Sequence, residues 1–418
     1  MTDKRLGRDT AAVLTAHAFY KLSGFVLLMV LARRLGAQEI GAFFFAVAFA
    51  ESFVVLGNFG MNSVMARRVA ANPQDAASHF APLLAFRLAS APVYLAIVVL
   101  LATAFTKASL PLIVAAAVTT LFEDFYFSFG ALFLALRKAL YNVSLGITIH
   151  TAYVIAFLSG MWLAPSLAML LGVTIFRSVL LLLAGTLITR SKLFPLRPKW
   201  DTAVVKSALP FVLIAALHIL RDQIGTLVLG TRAGYDDVAH FNLAWRLVAS
   251  SYFVPTAVCA VFVPLLTAHG LTEHNRRIMT RAAFGVASAG VIIGLIAWFF
   301  ADLLAALLYG PIGATVAPIM RTLAIVFPLG FMAFFLSLVL QALYEEAHVL
   351  RTLFIVTVAN LAANWILVPR IGAAGAAYAQ ILSTSLQLVI LAWRLRGLHI
   401  GAHRTTNPEY SVFSDTSP

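Results

Sequence analysis

Ten charged side chains lie inside long apolar stretches of this 418-residue chain, where charge is costly and usually serves a function. More of them are cations than acids, and an excess of positive charge in an apolar interior requires a counter-ion. Arginine suits an oxyanion because its planar guanidinium bonds two oxygens at once. These residues therefore predict an anion-binding interior. The cations are Lys21, Arg87, Arg177, Arg221, Arg246 and Arg321, and the acids are Glu51, Glu123, Asp124 and Asp222.

Helical spacing places several of these charges beside other polar side chains. Such stripes on several helices predict a shared hydrated lumen. In the alternative interpretation the acids only neutralise the cations and hold helices together. Arg177, whose sequence neighbours are apolar, fits that structural role best. The stripes are Glu51 with Asn58 and Asn62, Arg87 with Ser90 and Tyr94, and Asn242 with Arg246.

The composition predicts an all-α integral membrane protein. Hydrophobic residues make up 61% of the chain and charged residues 11%, far from the balance of a soluble domain. Apolar runs of this length match helices that cross a bilayer. The net charge of +13 is then explained by loops beside the membrane, and no nucleic-acid partner is expected.

The residue types predict no enzyme and no cofactor. Cys259 is the single cysteine, so neither a disulfide within the chain nor a thiol metal site is expected. The histidines do not have metal-ligand spacing. No glycine-rich loop is followed by the lysine that a nucleotide site requires. An ion gradient is therefore the expected energy source.

The apolar runs predict about twelve transmembrane helices in two six-helix bundles around a central cavity. The predicted spans lie near residues 11–33, 40–65, 80–105, 109–135, 140–163, 166–189, 204–230, 238–267, 282–305, 315–342, 347–368 and 373–395. The N-terminal bundle covers residues 1–190, a cytoplasmic linker 191–203, and the C-terminal bundle 204–396, and a polar tail covers 397–418. Lysine and arginine lie mostly in the segments on the side of the amino terminus, so both termini are predicted to be cytoplasmic.

The two halves carry similar segments at matching places. Residues 34–43, from Arg34 to Phe43, align with residues 232–241, from Arg232 to Phe241. Each segment follows the first span of its half and combines a glycine turn, an acidic residue and the start of the next helix. This pattern predicts two parallel repeats of six spans, as in many secondary transporters.

Three blocks of motifs occur in order along the chain. The first is residues 31–43 with 57–68. The second is Leu209-Pro210 with Arg221-Asp222-Gln223, Leu229-Gly230 and 244–247, and the third is Asn360 with 364–379. Together they resemble the polysaccharide-transporter, or O-antigen flippase, family, which belongs to the superfamily of multidrug exporters and lipid II flippases. The segment 238–241 departs from the family pattern, which usually has a glycine and a tyrosine there.

The resemblance implies alternating access in a bacterial inner membrane. The implied substrate is an oligosaccharide on an undecaprenyl diphosphate carrier, and the expected partners are membrane lipids and glycan polymerase and chain-length proteins. We expect the diphosphate to be bound by five cations, and four acids to couple an ion or to pair. The cations are Lys21, Arg87, Arg221, Arg246 and Arg321, and the acids are Glu51, Glu123, Asp124 and Asp222.

Several alternatives stay open. A drug or metabolite/cation antiporter of the same superfamily is one. A glycan polymerase or ligase is disfavoured because the loops near Lys107, Pro165, Pro311 and Arg370 are too short for a catalytic site. The sequence is compatible with an O-antigen, capsular or exopolysaccharide repeat unit as the transported sugar. It is also compatible with coupling to either protons or sodium ions.

Overall fold

The computed structural model describes residues 2–397, with side chains from residue 15 onward except at some helical positions, and most of the predicted polar tail lies outside them. The described residues form helices, turns and short connections, with no strand among them. The helices are α1 Thr2–Arg34, α2 Ala37–Ser52, α3 Val55–Asn58, α4 Met61–Ala71, α5 Ala76–Phe105, α6 Leu110–Ala135, α7 Ala139–Leu163, α8 Leu167–Lys192, α9 Thr202–Arg232, α10 Tyr235–Ser251, α11 Phe253–His269, α12 Glu273–Phe299, α13 Ala301–Tyr309, α14 Gly313–Ala324, α15 Val326–Ala342 and α16 Glu346–Arg396.

The all-helical membrane fold predicted from composition is confirmed for the described residues. Within them, nine helical segments are long and apolar enough to cross a membrane. One is α16, whose 51 residues cover two predicted spans and contain a break with non-helical dihedrals at Ile371 and Gly372. The count of twelve spans stays a prediction.

Four predicted spans are interrupted, and one of them is the span at 282–305, which is divided between α12 and α13. The predicted span at residues 40–65 is divided among α2, α3 and α4. Between α3 and α4, Phe59 and Gly60 both have left-handed backbones, with φ of 49° and 69°. The span predicted at 238–267 is divided into α10 and α11, and the one at 315–342 into α14 and α15. A long apolar run shows that a segment is buried or in lipid, but it does not reveal such local breaks.

The chain divides into two compact units. Unit 1 comprises Met1–Leu243, Asp302–Ile319 and Asn364–Ala376, and unit 2 comprises Ala244–Ala301, Met320–Ala363 and Ala377–Pro418. Segments of the carboxyl-terminal half therefore pack with the amino-terminal half in unit 1. The predicted division at residues 191–203 stays a prediction.

Within unit 1, α2 lies close to α9 and α10. A side chain at Gly41 would overlap the backbone carbonyl of Tyr235, and one at Gly230 would overlap the ring of Phe45. These glycines permit backbones to approach closely, which is how membrane helices commonly pack. The start of α2 and the start of α10 contain the segments that the sequence aligns between the two predicted repeats, and these segments are in contact in unit 1.

Gly41→Ala should lower the thermal stability of the detergent-purified protein, because the new methyl group meets backbone that cannot rotate away. Gly36→Ala is the matched control, since it stands nearby at the start of the same helix, has φ of −73° and has open space around its Cβ position. Unfolding midpoints followed by tryptophan fluorescence compare the two. Equal midpoints for both variants and the wild type would contradict the close contact.

In unit 2, polar side chains join α16 to itself across its break and to α15. Asn360 donates to the Ser383 hydroxyl at 2.8 Å, and Gln387 donates to the Ser337 hydroxyl at 3.3 Å. At the turn before α16, Glu345 accepts two hydrogen bonds from Arg394, at 2.6 and 3.2 Å. Side-chain hydrogen bonds of this kind commonly join membrane helices.

Candidate functional site

A buried ion pair joins α5 to α6 in unit 1. The guanidinium of Arg87 pairs with the Asp124 carboxylate, and it also donates to the Ser128 hydroxyl at 2.8 Å and the Asp124 carbonyl at 3.0 Å. Asn58 donates to the other carboxylate oxygen of Asp124 at 3.0 Å. Arg87 is 1% exposed. Arg87 is therefore a buried charge that is neutralised by the Asp124 carboxylate.

The other polar residues on the same face of α5 also point into a helix contact. Ser90 donates to the Gly57 carbonyl at 2.9 Å, and Tyr94 donates to the Ala50 carbonyl at 3.0 Å. These bonds satisfy carbonyls next to the breaks between α2, α3 and α4. The face that the spacing assigned to a lumen is therefore a packed seam in unit 1.

The predicted stripe of Glu51, Asn58 and Asn62 is corrected by the structure. The helix is interrupted where α2 ends at Ser52 and α3 begins at Val55, so Glu51 does not share a face with Asn58 and Asn62. Asn58 and Asn62 bond to the pair on α5 and α6, with Asn62 accepting from Arg87 at 3.5 Å. Glu51 instead accepts a hydrogen bond from Gln223 of α9 at 2.6 Å.

A second ion pair uses the neighbouring acid on α6. Glu123 accepts from Arg177 of α8 at 2.8 Å and from Ser178 at 3.1 Å. The Arg177 guanidinium also lies 5.0 Å from the ring centroid of Tyr153 on α7. Because successive helical residues point about 100° apart, Glu123 and Asp124 reach different helices. Together they connect α6 to α5 and α8.

Sequence reasoning missed that Ser23 and His150 form a polar contact between α1 and α7. Ser23 is hydrogen-bonded to the His150 ring at 2.7 Å, and the His150 and Tyr20 ring centroids are 5.0 Å apart. Tyr126 donates to Asn142 at 2.9 Å. The available signal was weak, since Tyr20 and Ser23 are three residues apart on one helix but nothing in the sequence identifies α7 as their neighbour.

The five cations predicted to bind the diphosphate are distributed over both units. Lys21, Arg87 and Arg221 lie in unit 1, and Arg246 and Arg321 lie in unit 2. Their assembly into one site stays a prediction.

Lys21 and Arg221 differ from the paired arginines of unit 1. In the described part of the chain neither has a carboxylate within ion-pair distance. Lys21 is exposed on α1. Arg221 is half-buried on α9, and its Nε atom, like that of Arg87, is buried without a hydrogen-bond partner. Asp222, the next residue, is exposed. These two cations have the hydrogen-bonding capacity that an anionic ligand requires.

Among the described residues, no three His, Cys, Asp or Glu side chains are arranged to bind a metal ion. Of the cations predicted to lie inside spans, the described part of unit 1 contains two in ion pairs, Arg87 and Arg177, and two without a carboxylate partner, Lys21 and Arg221.

Comparison with protein families gives one match. Residues 6–269 match the model of a family described as polysaccharide biosynthesis protein. No curated protein matches the sequence.

Solved structures of membrane transporters share the fold. Lipid II flippase MurJ in an inward closed conformation superposes with a TM-score of 0.72 at 14% identity, over 91% of this chain and 87% of MurJ. An inward-facing multidrug resistance MATE family transporter of the MOP superfamily gives 0.68 at 16% identity, over 89% and 93%. A MOP superfamily transporter from Pyrococcus furiosus, whose binding pocket is described as having reverse polarity, gives 0.63 at 16%, over 94% of each chain.

Proposed function

Because this chain belongs to the polysaccharide biosynthesis protein family, we propose that it is a flippase that moves a lipid-linked oligosaccharide across the bacterial inner membrane. The carrier is a polyprenyl diphosphate, and alternating access exposes it to each side in turn. Both termini are cytoplasmic, in line with the lysine and arginine bias of the loops. The transporter fold shared with MurJ supports this function.

The observation that carries the proposal is the state of Arg221. A guanidinium inside a membrane span, here the one predicted at residues 204–230, is costly unless it has a partner, and the proposed partner of Arg221 is the carrier diphosphate. Lys21 contributes a second positive charge on α1. Within the described residues, both lack the carboxylate that Arg87 and Arg177 have.

We assign the remaining unit 1 charges to structure. Arg87 with Asp124, and Arg177 with Glu123, hold α5, α6 and α8 in register. Arg246 and Arg321 keep their assignment as further ligands of the diphosphate, and Glu51 and Asp222 are the acids proposed for ion coupling. An apolar cationic drug would require the opposite charge balance in the interior.

Deletion of the gene in its own host tests this function. The strain should lose a surface polysaccharide and accumulate the polyprenyl-diphosphate oligosaccharide on the cytoplasmic side, and the plasmid-borne gene should restore both. Susceptibility to cationic drugs is measured in the same strains as the control. A deletion strain with normal surface glycan and increased drug sensitivity would show that the chain is a drug exporter instead.

A further inference from the structure

Two arginine–tryptophan stacks occupy corresponding places in the two repeats. Arg34 ends α1, and its guanidinium carbon lies 4.8 Å from the ring centroid of Trp162, which lies near the end of α7. Arg232 ends α9, and its guanidinium carbon lies 3.9 Å from the ring centroid of Trp365 on α16. The repeat alignment places Arg34 opposite Arg232. All four residues belong to unit 1.

Both stacks lie at the same end of unit 1. Gly41, seven residues after Arg34, approaches the Tyr235 carbonyl, which is three residues after Arg232. The two segments are therefore neighbours at the same end of unit 1. The predicted topology places this end on the periplasmic side.

The stacked side chains are accessible rather than packed in a core. The Trp162 and Trp365 side chains are 73% and 54% exposed. Arg34 and Arg232 are also exposed. Exposed tryptophans at the ends of membrane helices lie at the level of the lipid head groups. The surroundings of these arginines are therefore lipid phosphates and water.

The guanidinium groups have their N–H donors available. In the described part of the chain, neither Arg34 nor Arg232 has a carboxylate or hydrogen-bond partner besides the stacked ring. Arg33 differs, because it donates to the Leu307 carbonyl at 2.5 Å. A stacked guanidinium is held by its face, and its edge carries the N–H groups that bind a phosphate bidentately.

We infer that each arginine–tryptophan stack is a binding site for the phosphate of an anionic membrane lipid in the periplasmic leaflet. The tryptophan orients the guanidinium, and the guanidinium edge bonds two phosphate oxygens. The stacks thus form a pair of lipid sites, one for each repeat. This inference does not depend on the transported substrate.

Binding of phosphatidylglycerol to the purified full-length protein tests the two sites. The unfolding midpoint is measured in detergent during titration with phosphatidylglycerol, with phosphatidylcholine of the same acyl chains, or with sodium phosphate. Native mass spectrometry counts the retained lipids. The wild type should be stabilised by phosphatidylglycerol only. Arg34→Gln with Arg232→Gln should weaken this binding at least tenfold and remove two retained lipids.

Arg370→Gln is the matched control. Arg370 is exposed, lies five residues after Trp365 on the same helix, and has no aromatic partner among the described residues. Its loss should leave phosphatidylglycerol binding unchanged. Arg34→Lys with Arg232→Lys retains the charge but not the planar edge, so intermediate binding is expected. If the double glutamine variant is poorly folded, the lipid binding of the double lysine variant still tests the two sites.

Three results would overturn the inference. One is unchanged phosphatidylglycerol binding by the double glutamine or double lysine variant. Another is an equal loss in Arg370→Gln, which would indicate general surface charge. The third is equal stabilisation by sodium phosphate, which would assign the sites to a soluble anion rather than a lipid.

Discussion

Replacing Arg221 by alanine should abolish glycan export while leaving the protein folded and inserted. A phosphate bound bidentately by a guanidinium loses two charge-assisted hydrogen bonds of about 1.5–3 kcal/mol each. At about 1.4 kcal/mol for each factor of ten, this reduces transport more than a hundredfold. Arg221→Lys retains the positive charge but lacks the planar guanidinium that bonds two phosphate oxygens at once, so it should retain part of the activity. Surface glycan is measured in the deletion strain at matched protein levels.

Arg190→Ala is the control for this substitution. Arg190 is an exposed arginine in the last turn of α8, where its loss changes the net charge but no proposed ligand. The control should export glycan normally. Normal export by Arg221→Ala would remove this residue from the mechanism and with it the observation on which the proposed function rests.

Replacing Asp124 by alanine should give the largest loss of stability in unit 1. The change leaves Arg87, which is 1% exposed, without its carboxylate. Removing one partner of a buried ion pair typically costs about 3–5 kcal/mol, because the remaining charge stays buried and uncompensated. The protein should unfold at a markedly lower temperature or fail to accumulate in the membrane.

The double variant Asp124→Ala with Arg87→Met separates structure from ligand binding. Methionine, which is unbranched and apolar, removes the buried charge and fills part of the space of the arginine side chain, so much of the lost stability should return. If Arg87 has only the structural role proposed for it, the double variant should also export glycan. Asp236→Ala, at an exposed acid in the first turn of α10, is the control and should be neutral. A stable but inactive double variant would place Arg87 at the substrate after all.

The helices themselves were predictable because membrane helices are long apolar segments with clear ends. The span predicted at residues 109–135 corresponds to α6, Leu110–Ala135, and the one at 166–189 to α8, Leu167–Lys192. Ser109 precedes α6 and Ser166 precedes α8, and the last turn of α8 contains Arg190 and Lys192. Length and hydropathy determine such elements locally.

The partners of the charged residues were not predictable because they depend on which helices are neighbours. Glu123 and Asp124 are adjacent in sequence, yet one bonds to α8 and the other to α5. Spacing along one helix shows which residues share a face but not what the face contacts. Arg87 was therefore assigned to the same site as Arg221, whereas the structure buries Arg87 among polar partners.

The helix break at Phe59 and Gly60 was also not predictable from the sequence, because it too depends on neighbouring helices. Phe59 is a non-glycine residue in the left-handed region, which local preference disfavours. The bonds from Asn58 to Asp124 and from Ser90 to the Gly57 carbonyl support this conformation from other helices. Such support comes from tertiary contacts, so the predicted continuous span was wrong at this point.

Direct translocation by the purified protein tests the central claim. The chain is reconstituted in liposomes that contain a polyprenyl-diphosphate-linked oligosaccharide from its own host, and a membrane-impermeant glycosidase reports how much substrate is accessible from outside. With the intact protein, the accessible fraction should rise from about half toward completion as inner-leaflet substrate is moved outward and digested. With Arg221→Ala it should stay at the level of protein-free liposomes. If liposomes with the wild-type protein show the same accessible fraction as protein-free liposomes, the flippase function is contradicted.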